Sequence, residues 1–254
     1  MDLGLKGRAA AIAAASRGLG RATAQALAAE GCSVALCGRD EARVREAAEQ
    51  IARATGARTL AVKADVGVAA DCHAFVTRAA EAFGRLDVLV TNTGGPRPGG
   101  FEAVGDEGWE EAYRVTLANV VHLVRAAIPH MRPRRWGRIV NISSISGVRA
   151  SAGRIAYGTS KAAIIGLTRQ LAIELAPDNI TVNSVAPGPV DTATARAVHT
   201  ELTRRSYARL IPMRRFWEAG GNRRRSVLSL LRGRVVLHRS HDSGRRWLSR
   251  GRCP

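Results

Sequence analysis

Lysine is nearly missing from this chain. Of 39 basic side chains in 254 residues only Lys6, Lys63 and Lys161 are lysines, and so heavy a preference for arginine and alanine is that of a GC-rich coding sequence. Cysteine is scarce as well. Cys32, Cys37, Cys72 and Cys253 form no CxxC pair and have no histidine at ligand spacing, which argues against a zinc site and a disulfide framework and leaves reduced, buried thiols. No metal is expected. No apolar run approaches the roughly 18 to 20 residues that cross a bilayer, and the amino terminus lacks the hydrophobic core of a signal peptide. The chain is therefore expected to be soluble and cytoplasmic, with no membrane partner. Acidic residues number only 21, for a net charge of +18. Such a charge ordinarily suggests a nucleic-acid partner, but its distribution argues otherwise. Ten arginines and two acids fall in residues 217–254, so that tail carries +8, while the first 216 residues hold 29 basic against 19 acidic side chains.

The length suits one large α/β domain and is short for two. Within residues 1–216, short apolar runs alternate with helix-length stretches in which Ala, Leu and Val recur at three-to-four spacing, the pattern of βα units around a parallel sheet. Arg8–Ala15, Cys32–Cys37, Ala57–Val62, Leu86–Val90, Gly137–Ile142 and Ile180–Val185 read as six strands. Gly20–Glu30, Asp40–Thr55 and Ile155–Ala176 are predicted helices. No internal repeat or linker interrupts this body.

Two constellations carry chemistry. The first strand runs into AAASRGLGRATAQALA, where Gly18 and Gly20 open a helix. Glycines there let backbone approach a pyrophosphate resting on the partly positive helix end, although the same residues also fit a simple tight turn. The second is NISSISGVRASAGRIAYGTSK, with Ser144 thirteen residues before Tyr157 and Lys161 four after it. Positions i and i+4 share a helix face, so a phenol and an ammonium can point into one cleft. A free phenol titrates near 10, and working near pH 7 takes about 4 kcal/mol of preferential phenolate stabilisation. A neighbouring cation in a partly desolvated cleft supplies shifts of that order. A serine hydroxyl at a strand end can then donate to a substrate oxygen.

At this spacing, and after this glycine loop, the chain resembles a classical short-chain dehydrogenase/reductase, most similar to the 3-oxoacyl-(acyl-carrier-protein) reductase-like branch. The resemblance covers residues 1–216. It implies a Rossmann-type, doubly wound parallel sheet with helices on both faces, and hydride transfer between a nicotinamide cofactor and a carbonyl or secondary alcohol, 3-oxoacyl thioesters among the candidate substrates. By the same resemblance Tyr157 is the general acid for reduction and base for oxidation, and Ser144 orients the carbonyl. Lys161 lowers the tyrosine pKa and holds the nicotinamide ribose. Cofactor contacts are implied for Ser16, Arg17, Gly18, Leu19 and Gly20 in the glycine loop, and for Asp65 and Val66 in ADV, the segment facing adenine. They are implied also for Asn92 and Gly94 in TNTGG, and for Pro187, Gly188, Val190 and Thr192 in APGPVDTATA. A homotetramer or dimer is implied as well.

An acidic residue ending the second strand favours an unmodified ribose, whereas arginine favours a 2′-phosphate. Here the strand ends CGRDE, with Arg39 joined by Arg17, so NADP(H) is favoured over NAD(H). Three departures from the family stand out. Ala13 and Ala14 replace the Thr-Gly before the glycine loop. The asparagine that completes a catalytic tetrad falls on Thr116, with Asn119 a turn later. The loop GGPRPGG, Gly94 to Gly100, is unusually rich in glycine and proline beside the expected cleft.

The ending departs furthest. Members of the family continue with a Gly-x-Pro-Glu-Glu-Ile-Ala helix and a last strand ending in Val-Asp-Gly-Gly, and neither stands here. Yet codons exist for Gly220 to Ser226 that spell Glu-Glu-Ile-Ala-Ala-Ala when read one base later, and His238 to Trp247 re-reads likewise as Thr-Gly-His-Thr-Ile-Pro-Val-Asp-Gly. Residues 217–254 are accordingly read as a frameshifted, poorly ordered tail after a one-base insertion near Phe216 or Trp217, and the sheet is expected to lack its usual last strand. A genuine divergent tail is the alternative, with SVLSLLRGRVVL as a short helix and strand. Two functional readings follow: the oxidoreductase, favoured by the serine, tyrosine and lysine, and a non-catalytic dinucleotide-fold protein whose basic tail binds a polyanion. Nucleic acid is the less expected partner.

Overall fold

Successive side chains of a strand point to opposite faces, and in this chain both faces are apolar, as a sheet covered by helices on both sides requires. The computed structural model describes residues 3–192, 195–196, 201–211, 213–218 and 238–239. Strand β1 (Ala9–Ile12) sends Ala10 and Ile12 into one core and Ala11 into the other. Strand β2 (Ser33–Gly38) divides likewise, with Val34 and Leu36 on one side and Ala35 and Cys37 on the other. Strand β3 (Thr59–Lys63) flanks it. On the opposite side of β1 come β4 (Val88–Thr91), β5 (Gly137–Ile142) and β6 (Ile180–Ala186), all parallel, in the spatial order β3-β2-β1-β4-β5-β6.

Helices cover each face through their own apolar stripes. Helices α1 (Gly18–Ala29) and α2 (Glu41–Thr55) bury Ala24, Leu27, Val44, Ala48 and Ile51 in the core that holds Ile12 and Leu36. Helix α3 (Ala69–Phe83) packs Phe75, Val76 and Ala79 on the other face. The short helix α4 (Asp106–Ala112) runs through a π-helical stretch, Tyr113–Ala118, into α5 (Asn119–Met131), which adds Leu123, Val124 and Ala127 there. Helix α6 (Ile155–Glu174) adds Ile164. Local chemistry sets several ends. Asp40 caps α2 by accepting the Arg43 N–H at 3.1 Å, and Gly56 closes it in the left-handed conformation at φ 71°. At the amino ends of the strands the buried carboxylate of Asp87 accepts from Arg85, Arg8 and the Ala9 N–H.

The predicted strands match the observed ones to within two or three residues at each end. The first, predicted to Ala15, stops at Ile12. Ala13 still donates to the Val90 carbonyl at 3.0 Å, but Ala14 turns the chain with φ 46°, in the region where glycine is the usual occupant. At the β6 edge, where the usual last strand was expected to be lacking, two of the described tail residues, β9 (His238–Arg239), pair in parallel with Val185 and Ala186. A second small ladder joins β7 (Val190–Asp191) to β8 (Trp217–Glu218), so the first two residues of the predicted tail pair with the body. Of SVLSLLRGRVVL and the rest of the tail, residues 219–237 and 240–254 lie outside the described residues. Cys32, Cys37 and Cys72 are free and buried, and desolvation pushes each thiol up to about 12, well beyond reactive range.

Because the chain winds from β1 outward to β3 and then returns to β4 on the other side of β1, the loops after β1 and β4 diverge. That divergence opens a crevice at the carboxyl ends of the strands.

Candidate active site

One wall of the crevice is built at the end of β5. Ser144 is extended (φ −158°, ψ 156°) and caps the 3-10 turn Ile145–Gly147, its hydroxyl accepting the Ser146 N–H at 3.2 Å. This turn rests directly on α6. A Cβ on Gly147 would stand 2.6 Å from the Lys161 carbonyl carbon, and one on Gly158 would stand 3.0 Å from the Ser146 oxygen, so both glycines are needed for the approach. Ser143 fastens the same contact from within by donating to the Lys161 carbonyl at 2.7 Å.

Tyr157 and Lys161 occupy the first turns of α6 on one face. The Lys161 side chain is 2 % exposed and donates to the Ile142 carbonyl at 2.7 Å, with Nζ 5.7 Å from the centre of the Tyr157 ring. Burial holds its pKa down to about 7, so in this cleft the amine is poised between its neutral and cationic forms near neutrality. The Tyr157 ring is hemmed in elsewhere by Gly95, where a Cβ would lie 3.0 Å from its Cε2, and by the Arg154 guanidinium, 4.2 Å from the ring centre.

Opposite stands the glycine loop. A Cβ on Gly20 would lie 2.6 Å from the Ala14 carbonyl oxygen and one on Gly18 would face the Thr192 methyl at 3.6 Å, so bare backbone borders the crevice here. Asn92 ties the loop to β4 by donating to the Ala14 carbonyl at 3.2 Å. Arg17 precedes α1 without a side-chain cap, and no acid stands in the first helical turn, so the opening N–H groups keep their capacity for an anion. A pyrophosphate fits this cradle: its backbone is stripped of side chains where contact is needed, and no carboxylate opposes it.

The cleft these elements enclose, about 180 Å³, is lined by Leu19, Asn92, Ser144, Tyr157, Lys161, Pro187, Gly188, Val190 and Thr192 among the residues named from sequence. Ser16, Arg17, Arg39, Asp65, Val66 and Gly94 lie outside it on the loops that follow β1 to β4, and Gly18 and Gly20 lie outside it in the first turn of α1. Arg17 and Arg39 are exposed. The Asp65 carboxylate accepts the Gly67 N–H at 2.9 Å. Eight lining residues were not named as site residues from sequence: Ile142, Ser143, Ile145, Ser146 and Pro189, which flank Ser144 or Gly188, and Thr93, Arg154 and Tyr207. Arg154 carries a readable signal, three residues before Tyr157 at the start of a helix, whereas Thr93 and Tyr207 carry none. Thr116 and Asn119 are buried in and just after the π-helical stretch. Among the described residues the Thr116 hydroxyl and the Asn119 side-chain carbonyl have no hydrogen-bond partner, while the Asn119 amide donates to the Val115 carbonyl at 3.0 Å. Among the described residues no cluster of histidine, cysteine and acidic side chains could hold a metal ion, and no helix is long and apolar enough to cross a membrane.

Comparison with known proteins agrees with this architecture. Residues 8–203 match the family model for short chain dehydrogenases. The 3-oxoacyl-(acyl-carrier-protein) reductase FabG of Aquifex aeolicus is 35% identical over 216 residues, covering 85% of this chain and 87% of that protein. Among solved structures, a 7 alpha-hydroxysteroid dehydrogenase complexed with NADH and 7-oxo glycochenodeoxycholic acid superposes with a TM-score of 0.86 at 27% identity, covering 91% of this chain and 89% of that one. A point variant of an actinorhodin polyketide ketoreductase with NADPH gives a TM-score of 0.82 at 30% identity, covering 88% of this chain and 90% of that one. With a glycine loop, a serine at the end of β5 and a tyrosine and lysine on one face of α6 meeting at the carboxyl edge of a parallel sheet, the chain belongs to the short-chain dehydrogenase family of nicotinamide-dependent oxidoreductases.

Proposed function

We propose that the protein is an NADP(H)-dependent carbonyl reductase, running in reverse as a secondary-alcohol dehydrogenase, with Ser144, Tyr157 and Lys161 as its working side chains. The observation that carries this reading is the meeting of those three residues in one cleft with Thr192 and Gly188. When bound, the nicotinamide supplies or accepts the hydride. Tyr157 Oη donates a proton to the carbonyl oxygen as negative charge develops there, and takes it back in alcohol oxidation. Ser144 Oγ accepts the Ser146 N–H, which leaves its own proton free to point at the same oxygen and orient it. Lys161 Nζ, held by the Ile142 carbonyl 5.7 Å from the Tyr157 ring centre, in its protonated form places a charge near the phenol.

The preference for NADP(H) rests on charge. Arg39 follows β2 directly and Arg17 lies in the glycine loop, both exposed. The carboxylate next in sequence, Asp40, is occupied as the α2 cap and pairs with Arg43 at 3.0 Å, so it is drawn away from a ribose. NADPH is therefore expected to outperform NADH in kcat/KM, and Arg39→Ala to reduce that preference by about 10- to 100-fold, the worth of one charge-assisted phosphate contact. An unchanged ratio in steady-state assays removes Arg39 from the reading. Substrates to try first are 3-oxoacyl thioesters, the class named for the Aquifex relative. Cytoplasmic residence, assembly as a dimer or tetramer, and a frameshift as the origin of residues 217–254 belong to the same proposal.

A further inference from the structure

The cleft holds a cation that the reductase reading does not use. Arg154 immediately precedes α6 and lines the cleft, with its guanidinium carbon 4.2 Å from the Tyr157 ring centre. Its place is fixed by backbone: Gly158 N–H donates to the Arg154 carbonyl at 2.7 Å, and Gly99 N–H donates to the Gly153 carbonyl at 2.9 Å, stitching the Gly94–Gly100 loop alongside. Gly95 borders the same side chain, since a Cβ there would meet Arg154 Nη2 in ordinary contact at 3.8 Å. Stacking on a ring face satisfies none of the five guanidinium N–H donors. Among the described residues none of them has a hydrogen-bond acceptor, and no carboxylate lines the cleft. Asp191, beside the lining residues Val190 and Thr192, is already engaged by Arg204 at 3.4 Å and Arg196 at 3.6 Å.

We propose that Arg154 binds a carboxylate of the substrate, so that the enzyme acts on oxo acids or hydroxy acids with the carboxylate one or two carbons from the reacting carbon. The inference rests on the reductase reading and narrows it. A carbonyl oxygen placed between Tyr157 Oη and Ser144 Oγ lies at the rim of the phenol, and the guanidinium fork over the ring face is then one short carbon spacer away. A planar fork with paired N–H donors is matched to a carboxylate at about 2.8 Å and to nothing neutral of that size. A plain 3-oxoacyl thioester offers that fork only a neutral group and leaves its charge uncompensated.

The test compares a 3-oxo acid, its methyl ester and a 3-oxoacyl thioester on the full chain, wild type and Arg154→Met, with NADPH. Wild type is expected to favour the acid over the ester by about 10- to 100-fold in kcat/KM, and Arg154→Met to erase most of that ratio, chiefly through KM, because the charge-assisted pair between the half-buried guanidinium fork and a carboxylate is what discriminates. Arg154→Lys, which keeps the charge without the fork, should recover part of it. A wild type that reduces ester and acid equally overturns the assignment and leaves the reductase reading standing. So does an Arg154→Met variant that loses all three activities in proportion with a displaced pH profile, since the arginine would then act on Tyr157. If no carbonyl compound is reduced with either nicotinamide, the reductase reading fails instead. Calorimetric binding of the 3-hydroxy acid against its ester, in the presence of NADP⁺, then decides Arg154 separately: tighter acid binding lost in Arg154→Met upholds it, and equal binding overturns it.

Discussion

Ala14 sits at φ 46° where the chain leaves β1, a conformation that costs a residue with a Cβ about 1 to 2 kcal/mol. Ala14→Gly relieves that strain and returns about 0.5 to 1 kcal/mol of it through the freer unfolded chain. Its net effect is a stabilisation of several tenths of a kcal/mol or more, read as a higher Tm; a lower Tm would mean that the turn does not need a left-handed residue. Lys161 gives a pH-dependent counterpart. Burial lowers its pKa from 10.5 to about 7, so between those values the unfolded chain holds a proton that the folded chain has released. Its contribution to stability therefore rises with pH through that window, and its cost is greatest below about 7. Lys161→Met should raise Tm at pH 6.5 and lose that advantage toward pH 10; a difference independent of pH in thermal melts would contradict the assignment of burial as the cause.

At the level of elements, the Ser144 turn and α6 act as one unit because Gly147 and Gly158 let them touch. Gly147→Ala forces a Cβ to 2.6 Å from the Lys161 backbone, with no flexible side chain to yield. A loss of about 1 to 3 kcal/mol is expected, of the kind overpacking brings, together with a fall in turnover as Ser144 shifts from Tyr157. Full stability in denaturant melts would show that the turn and α6 can separate without cost. The six strands and the helices α1, α2 and α6 were legible in sequence because apolar runs and three-to-four spacing report burial directly. The end of β1 was not, since an alanine run looks the same on either side of a turn that Ala14 makes by taking positive φ. The serine, tyrosine and lysine were legible through spacing along one helix and the strand before it. Thr93 and Tyr207 reach the cleft through tertiary folding alone, and the Arg154 contact depends on a rotamer over the Tyr157 ring that spacing only hints at. The paired residues of β8 and β9 are too few for any period to show.

Across the whole molecule, the body and the last 38 residues tell different stories. Residues 1–216 form helix-covered cores on both faces of a parallel sheet, whereas residues 217–254 contribute, among those described, only two pairs of strand residues. If the tail is out-of-frame text, sequencing the source DNA across the codons for Arg205 to Pro254 will reveal codons that re-read as the family's ending one base later. Codons that do not re-read so would make the tail a native feature. The account as a whole turns on Tyr157, and it is tested most directly by following NADPH oxidation with a neutral ketone for wild type and Tyr157→Phe, with NADPH affinity measured separately. Removal of the phenolic proton is predicted to lower kcat by about 100- to 10,000-fold while NADPH binding stays within a few-fold. A Tyr157→Phe variant that turns over at the wild-type rate would contradict it.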